Sequence, residues 1–400
     1  MTTNDWFWWQ RPDLGYVNGR LHLQQHDLQT LAESAGTPTY AYSSHRFHAN
    51  WRRLAEVLAA RGVPHKLFFA LKSNRFLPLL TFLRLHGECG VDVCSPSELL
   101  LARQVGFRES DITYTNTAVS NADLDVIARH PGIQVNCDAL STIRRLGERC
   151  PGRPIGLRIN PQLGLGYNDA LHYAGAKTTK FGIYLEHLPE AMALARQYDM
   201  PITRLHFHAG SGYLSPQLDT FERILVENGR FLSQLPDVTT VNIGGGLGLK
   251  LTADGHALDL DRWGDLLAAF AQEWDVTIQA EPGDYLIKDA GVLLLQVTMV
   301  ERKKETLFVG VNGGFNLQPL SVYYQTPFVV VPTKLRDGEM QPTTVVGNIN
   351  EGIDLWAENI PLPPLAEGDT LAFLNVGGYG SAMSSNHCMR GQFSEYLLLD

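Results

Sequence analysis

Between residues 65 and 285 the chain keeps returning to one pattern, a short apolar run, a polar turn, then a stretch with apolar residues three and four apart. Eight runs fit it, at 67–71, 90–94, 112–116, 133–137, 155–159, 204–208, 239–243 and 277–280. The stretches between them, such as 96–105 and 121–130, have the spacing of amphipathic helices. Strands alternating with helices imply a parallel sheet, and eight of them imply a closed (β/α)8 barrel of the TIM kind. After residue 290 the pattern changes to β-branched and aromatic runs at 292–300, 307–309, 328–331, 343–346 and 370–373, broken by Gly, Pro and Asp, which predicts an antiparallel β domain. An extended run at 37–42 precedes the barrel pattern and is expected to join that β domain. The expected organisation is an N-terminal segment, 1–44, belonging to the β domain, an α/β barrel over 45–288 and a C-terminal β domain over 289–400.

Composition narrows the class. A chain of 400 residues with 44% apolar content can bury a large core, and its length exceeds one ordinary domain. The net charge of −9, with basic residues scattered, gives no footprint for nucleic acid. Cys89, Cys94, Cys137, Cys150 and Cys388 form no CxxC pair and are odd in number, which argues against a zinc site and a disulfide framework and suits a reducing cytoplasm. The Trp-rich N-terminus lacks the basic start and apolar stretch of a secretion signal, and no later segment reads as a membrane span.

In a barrel, polar residues at the carboxyl ends of strands are the ones to read as catalytic. Lys72 follows the first run directly, where desolvation would make an amine nucleophilic and suited to a Schiff base. A strand-end lysine snorkelling to solvent is the plainer alternative. His206-Phe207-His208-Ala209-Gly210-Ser211-Gly212 ends the sixth run; strand alternation would put both imidazoles on one side, and the Gly-Ser-Gly turn suits an anion. Gly244-Gly245-Gly246-Leu247-Gly248 follows the seventh run, and bare amides there can wrap a phosphate. The eighth run ends in Glu281-Pro282-Gly283-Asp284, whose first carboxylate could hold a heteroaromatic ring nitrogen protonated. An amine, an imidazole, a phosphate cradle and a carboxylate at successive strand ends are the parts of a pyridoxal-phosphate site.

The stretches Ala70-Leu71-Lys72-Ser73-Asn74, Gly90-Val91-Asp92-Val93-Cys94-Ser95, Leu157-Arg158-Ile159-Asn160-Pro161, Lys180-Phe181-Gly182, His208-Ala209-Gly210-Ser211, the triple glycine, Glu281-Pro282-Gly283 and Gly377-Gly378-Tyr379-Gly380 together resemble the fold-type III pyridoxal-phosphate decarboxylases, the group of diaminopimelate, ornithine and arginine decarboxylases. The resemblance runs from about Thr37 to the C-terminus. It implies pyridoxal 5′-phosphate as cofactor, a barrel with an appended β domain, Lys72 as covalent anchor, His208 on the cofactor ring, and Glu281 on its nitrogen with Arg158 nearby. It further implies Ser211, Gly244, Gly245, Gly246, Gly283 and Tyr379 around the cofactor, mainly its phosphate, and Asp92 near the Schiff base. A head-to-tail homodimer with shared active sites is implied, the segment from Asn350 to Asp354 being donated by the partner subunit.

The chain departs from that group at three places. Asn350 stands where a cysteine normally returns a proton to the carbon left after carboxylate loss, and an amide cannot donate as a thiol does. Asp284 and Gln318 stand where carboxylate- or phosphate-binding arginines are usual, which disfavours a second carboxylate on the substrate. The expected function is decarboxylation of an amino acid or amino-acid conjugate, carrier-bound substrates included, in a specialised biosynthetic pathway. Lys72, His208, Asn350 and Glu351 would be catalytic, and Gln318, Tyr323, Glu351, Asp354 and Tyr379 would line the substrate pocket. A racemase or epimerase using other Cα chemistry is one alternative, and a catalytically inactive binding or regulatory relative is another.

Overall fold

A computed structural model of the chain describes residues 6–86, 89–175 and 177–399. They form two compact units, one of Trp51–Leu249 with His256–Tyr285, the other of the residues up to Asn50, Lys250–Gly255 and those from Leu286 onward.

In the first unit the strands His65–Ala70, Gly90–Val93, Ile112–Asn116, Gln134–Cys137, Ile155–Arg158, Ile202–His206, Thr240–Asn242 and Thr277–Ala280 close into a parallel barrel. The eighth strand returns to the first, Ile278 standing opposite His65. Strands such as Gly90–Val93 and Ile155–Arg158 are buried along their whole length, because helices cover the outer face while side chains fill the inside. The helices have clear local signals. In Pro96–Val105, Ser95 caps the start by accepting from the Glu98 amide, Pro96 occupies the first turn and Gly106 closes the end in the left-handed region. Five strands stop before their apolar runs do, at Ala70, Val93, Arg158, His206 and Asn242, and two of these ends matter for the site. The first ends at Ala70 and passes into a 3-10 turn, Leu71–Ser73, so Lys72 sits on a turn; the sixth ends at His206. His208 therefore lies beyond the strand, and simple alternation no longer relates it to His206.

The second unit is a mixed sheet. Its strands lie in the order Val329–Pro332, Thr370–Leu374, Gly291–Lys303, Thr306–Val311, Gln341–Val346 and Leu355–Leu362. Thr39–Ser43 pairs antiparallel with the start of Gly291–Lys303, and Ser394–Leu398 runs parallel beside Thr39–Ser43. Antiparallel pairing prevails in this sheet as expected, while Thr306–Val311 and Gln341–Val346 pair in parallel and make it mixed. Parallel neighbours need a long connection, which the intervening residues 312–340 supply. An N-terminal hairpin of Leu14–Val17 and Arg20–Leu23 turns at Asn18 and Gly19, both at positive φ. Asn-Gly is the usual signal for such a turn, and it was readable in the sequence. Leu14, Leu21 and Leu23 of this hairpin pack with Val292, Leu294, Ala372 and Leu374 of the sheet in one apolar cluster. No helix among the described residues is long and apolar enough to cross a membrane.

Candidate active site

The carboxyl ends of the barrel strands gather charged and polar side chains that an apolar interior would exclude unless they were paired. Lys72 projects from the turn after the first strand and donates from Nζ to Asp92 Oδ2 at 2.8 Å. Its side chain is 39% exposed while that of Asp92 is 1% exposed, so the amine is reachable and its counter-ion is not. Asp92 Oδ1 is buried without a hydrogen-bond partner. Burial and then the charge of Glu281 push the Asp92 carboxyl up to about 7, with Lys72 acting in the opposite direction.

Glu281 follows the eighth strand and is buried. Its Oε2 accepts from His206 Nε2 at 3.0 Å and its Oε1 from Asn242 Nδ2 at 2.7 Å. Burial opposes its charge, yet His206, Lys72 and Asn242 together hold it down at about 2. Burial lowers His206 while Glu281 raises it; Nε2 faces the carboxylate and carries the shared proton, and Nδ1 has no hydrogen-bond partner. The network extends inward through Asn136 Nδ2, which donates to Thr113 Oγ1 at 3.1 Å and to Thr115 Oγ1 at 2.8 Å.

His208 lies next to the glycine loop, its ring 5.1 Å from that of Tyr173 and its Nδ1 buried without a partner. Burial, with the charges of Lys72 and Arg158, pushes it well below the usual histidine range. In the loop itself, a Cβ on Gly245 would lie 2.4 Å from the Glu281 carbonyl oxygen and one on Gly246 2.2 Å from that of Gly210, so no side chain can stand there. The Gly244 amide donates to Asn242 Oδ1 at 2.9 Å, whereas those of Gly245 and Gly246 donate to no protein acceptor among the described residues. Ser211 is half-buried on the two-residue strand Gly210–Ser211, which pairs with Leu165–Gly166. Gly283 packs closely on Ser73, where a Cβ would meet the serine Cβ at 3.0 Å, and so draws the Glu281 turn against the Lys72 turn. Arg158 is buried with Nη1 3.9 Å from Asp138 Oδ2 and its guanidinium 4.6 Å from the centre of the Phe181 ring. Burial lowers its pKa.

The other expected residues belong to the second unit. Tyr379 adopts a left-handed backbone in the Gly377-Gly378-Tyr379-Gly380 loop. Asn350 and Glu351 are exposed, with Glu351 Oε1 3.3 Å from His387 Nε2, and Tyr323 is 58% exposed. Two of the residues expected to contact substrate are buried and hydrogen-bonded to main chain. Gln318 is fully buried and its Nε2 donates to the carbonyls of Val376 and Gly378, both at 3.4 Å, so it braces the Tyr379 loop. Asp354 is also buried, accepting from the amides of Phe315 at 2.7 Å and Ile349 at 2.6 Å, with Gly314 and Gly347 packed on the carboxylate. It fastens the loop that carries Asn350 and Glu351. Asp354→Ala is expected to cost about 2–4 kcal/mol of stability, from two charge-assisted hydrogen bonds left unmade, measured by urea denaturation. A raised KM with unchanged stability would instead restore the substrate-contact reading.

Of these residues the sequence reading had missed Asn242, Asp138 and Thr113. Asn242 had a signal, an amide at the end of an apolar strand just before the triple glycine.

Pyridoxal phosphate fits this set. The amides of Gly245 and Gly246 offer donors for a phosphate, Glu281 is a buried, ionised partner for a ring nitrogen, and Lys72 is an accessible amine beside a buried acid.

Comparison with known proteins agrees. Residues 44–288 match the profile of the pyridoxal-dependent decarboxylase family, pyridoxal binding domain. The chain is 30% identical over 393 residues to a diaminopimelate decarboxylase of Methanothermobacter thermautotrophicus, covering 95% of this chain and 91% of that protein. It is 30% identical to one of Pseudomonas aeruginosa, covering 96% and 92%. Among solved structures, a diaminopimelate decarboxylase from m. jannaschi superposes with a TM-score of 0.89 at 23% identity, over 97% of this chain and 93% of that one, which speaks for the fold. A variant diaminopimelate decarboxylase of Helicobacter pylori complexed with L-lysine superposes with a TM-score of 0.85 at 25% identity, over 94% of each. With the profile spanning more than half of the sequence and the relatives matching nearly end to end, this chain belongs to the pyridoxal-dependent decarboxylases and is a pyridoxal-phosphate-dependent carboxy-lyase acting on amino acids.

Proposed function

We propose that the barrel unit removes the α-carboxylate of an amino acid as carbon dioxide at the site built by Lys72, Asp92 and Glu281. One observation carries the reading: an accessible amine, paired with a buried acid, stands in the same electrostatic cluster as a second buried carboxylate held ionised by two donors. Pyridoxal phosphate, when bound, supplies an aldehyde that takes up amines and a ring that accepts electrons from Cα. Lys72 would hold the aldehyde end, the amides of Gly245 and Gly246 the phosphate, and Glu281 the proton on the ring nitrogen. His208 would lie against the ring and, being neutral, would add no competing positive charge. Asp92 keeps the Lys72 amine oriented and in proton exchange. With an amide at Asn350, the Lys72–Asp92 pair would return the proton to Cα. The exposed segment at Asn350 and Glu351 supports a homodimer in which that segment reaches the partner subunit's barrel. The odd number of cysteines and the lack of a CxxC pair support a reducing cytoplasmic setting.

For the substrate, the shared name of the relatives supports diaminopimelate, and hence lysine formation. A second reading, a specialised amino acid without a distal carboxylate, is favoured by Asp284 and the buried Gln318 standing where the resemblance calls for arginines. Carbon dioxide release and product mass, measured across diaminopimelate and a panel of other amino acids, test both. Preferred turnover of diaminopimelate supports the first reading, and turnover of monocarboxylic substrates with silence toward diaminopimelate supports the second. Deuterium uptake at Cα with no carbon dioxide from any substrate would overturn both in favour of racemisation.

A further inference from the structure

The buried network around Glu281 contains one side chain that touches two functional elements at once. Asn242 ends the seventh barrel strand and is fully buried. Its Nδ2 donates to Glu281 Oε1 at 2.7 Å, and its Oδ1 accepts from the Gly244 amide at 2.9 Å. A backbone rung lies alongside, the Glu281 amide donating to the Gly244 carbonyl at 2.8 Å. The glycine loop and the Glu-Pro-Gly turn are thereby tied together twice, once by main chain and once by this amide.

We propose that Asn242 is a positioning residue that couples the ring-nitrogen carboxylate to the phosphate loop, holding the two ends of the cofactor site in one register. The inference rests on the reading of Glu281 and the glycine loop as cofactor-binding. The chemistry of the side chain is the reason. Asparagine offers a donor and an acceptor on one short planar group, and both are used here. Aspartate at this place could still accept from Gly244 but could not donate to Glu281, and its charge would oppose the carboxylate. Alanine could do neither. His206 Nε2 meets only the other oxygen of Glu281, so its side chain serves that end alone. A rigid ligand that is gripped at both ends binds best when the grips are already correctly spaced, because ordering them then costs nothing at the moment of binding.

The test is equilibrium binding of pyridoxal phosphate and of pyridoxal, which lacks the phosphate, to the cofactor-free full chain, wild type and variants, followed by absorbance. Their affinity ratio reports the phosphate grip, and the pH dependence of the bound absorbance reports the ring-nitrogen grip. Asn242→Ala is expected to lower the affinity ratio about tenfold, the loss of one well-placed hydrogen bond to the loop, and to move the absorbance titration as well. Asn242→Asp and His206→Asn are expected to move the titration while keeping the ratio within about twofold of wild type. An Asn242→Ala protein with the wild-type ratio, or an Asn242→Asp protein with the wild-type titration, overturns the coupling. Should Asn242→Ala fail to fold, the Asn242→Asp and His206→Asn arms still decide it. A wild-type chain that binds both ligands equally well would instead show that the glycine loop grips no phosphate, and the site reading would fall first.

Discussion

Lys72→Ala is expected to lower turnover by at least about 10³-fold and to leave no borohydride-fixed cofactor on the peptide containing position 72. The side chain is 39% exposed and lies on a turn, so truncating it opens no core cavity and the barrel should stay folded. What is lost is the amine and its proton exchange with Asp92. The truncation also removes the positive group that most strongly lowers the Asp92 carboxyl, which should then titrate even higher than about 7. Circular dichroism checks the fold, and mass spectrometry of borohydride-treated wild type and variant locates the label. A label that persists on a different lysine, with turnover intact, would move the anchor elsewhere and end the assignment of Lys72.

The second large effect is expected for Glu281→Gln, about 10²–10³-fold in kcat, because an amide of nearly the same shape keeps the packing but cannot hold a positive ring nitrogen by charge. The same substitution should alter acid stability. A carboxyl held at about 2 in the folded chain, against an ordinary 4.5, adds stability above 4.5 that is lost as pH falls through that window. Glu281→Gln should therefore flatten the fall in stability between pH 4.5 and about 2. Asp92 works with the opposite sign: its raised carboxyl favours the folded chain at low pH, and that contribution is lost as pH rises from about 4 toward 7. Chemical denaturation of the cofactor-free protein across pH 2–8, with Glu281→Gln and Asp92→Asn beside wild type, separates the two. If Glu281→Gln retains full kcat, the buried carboxylate serves structure alone.

Periodicity alone was enough to find all eight barrel strands, since a parallel strand covered on both faces must be apolar along its length and its crossover helix must be amphipathic. The placing of Lys72, His208, the glycine loop and Glu281 near strand ends followed from the same pattern, because chain order decides which turn comes after which strand. Spacing could not show which acid meets which base. Asp92 and Lys72 are twenty positions apart, and Asn242, His206 and Glu281 stand at the ends of three different strands; lateral pairing of neighbouring barrel strands is what brings them to within hydrogen-bond distance. Nor could it show that Asp354 and Gln318, polar residues in a loop-rich region, turn inward to brace backbone, because an unpaired main-chain group is visible only once the loop has folded around it. Local sequence determined the elements and the residues available at their ends. The pairing of those residues, and with it the charge each one carries, was decided by tertiary packing, since burial and neighbours set a side chain's protonation and both exist only in the folded chain.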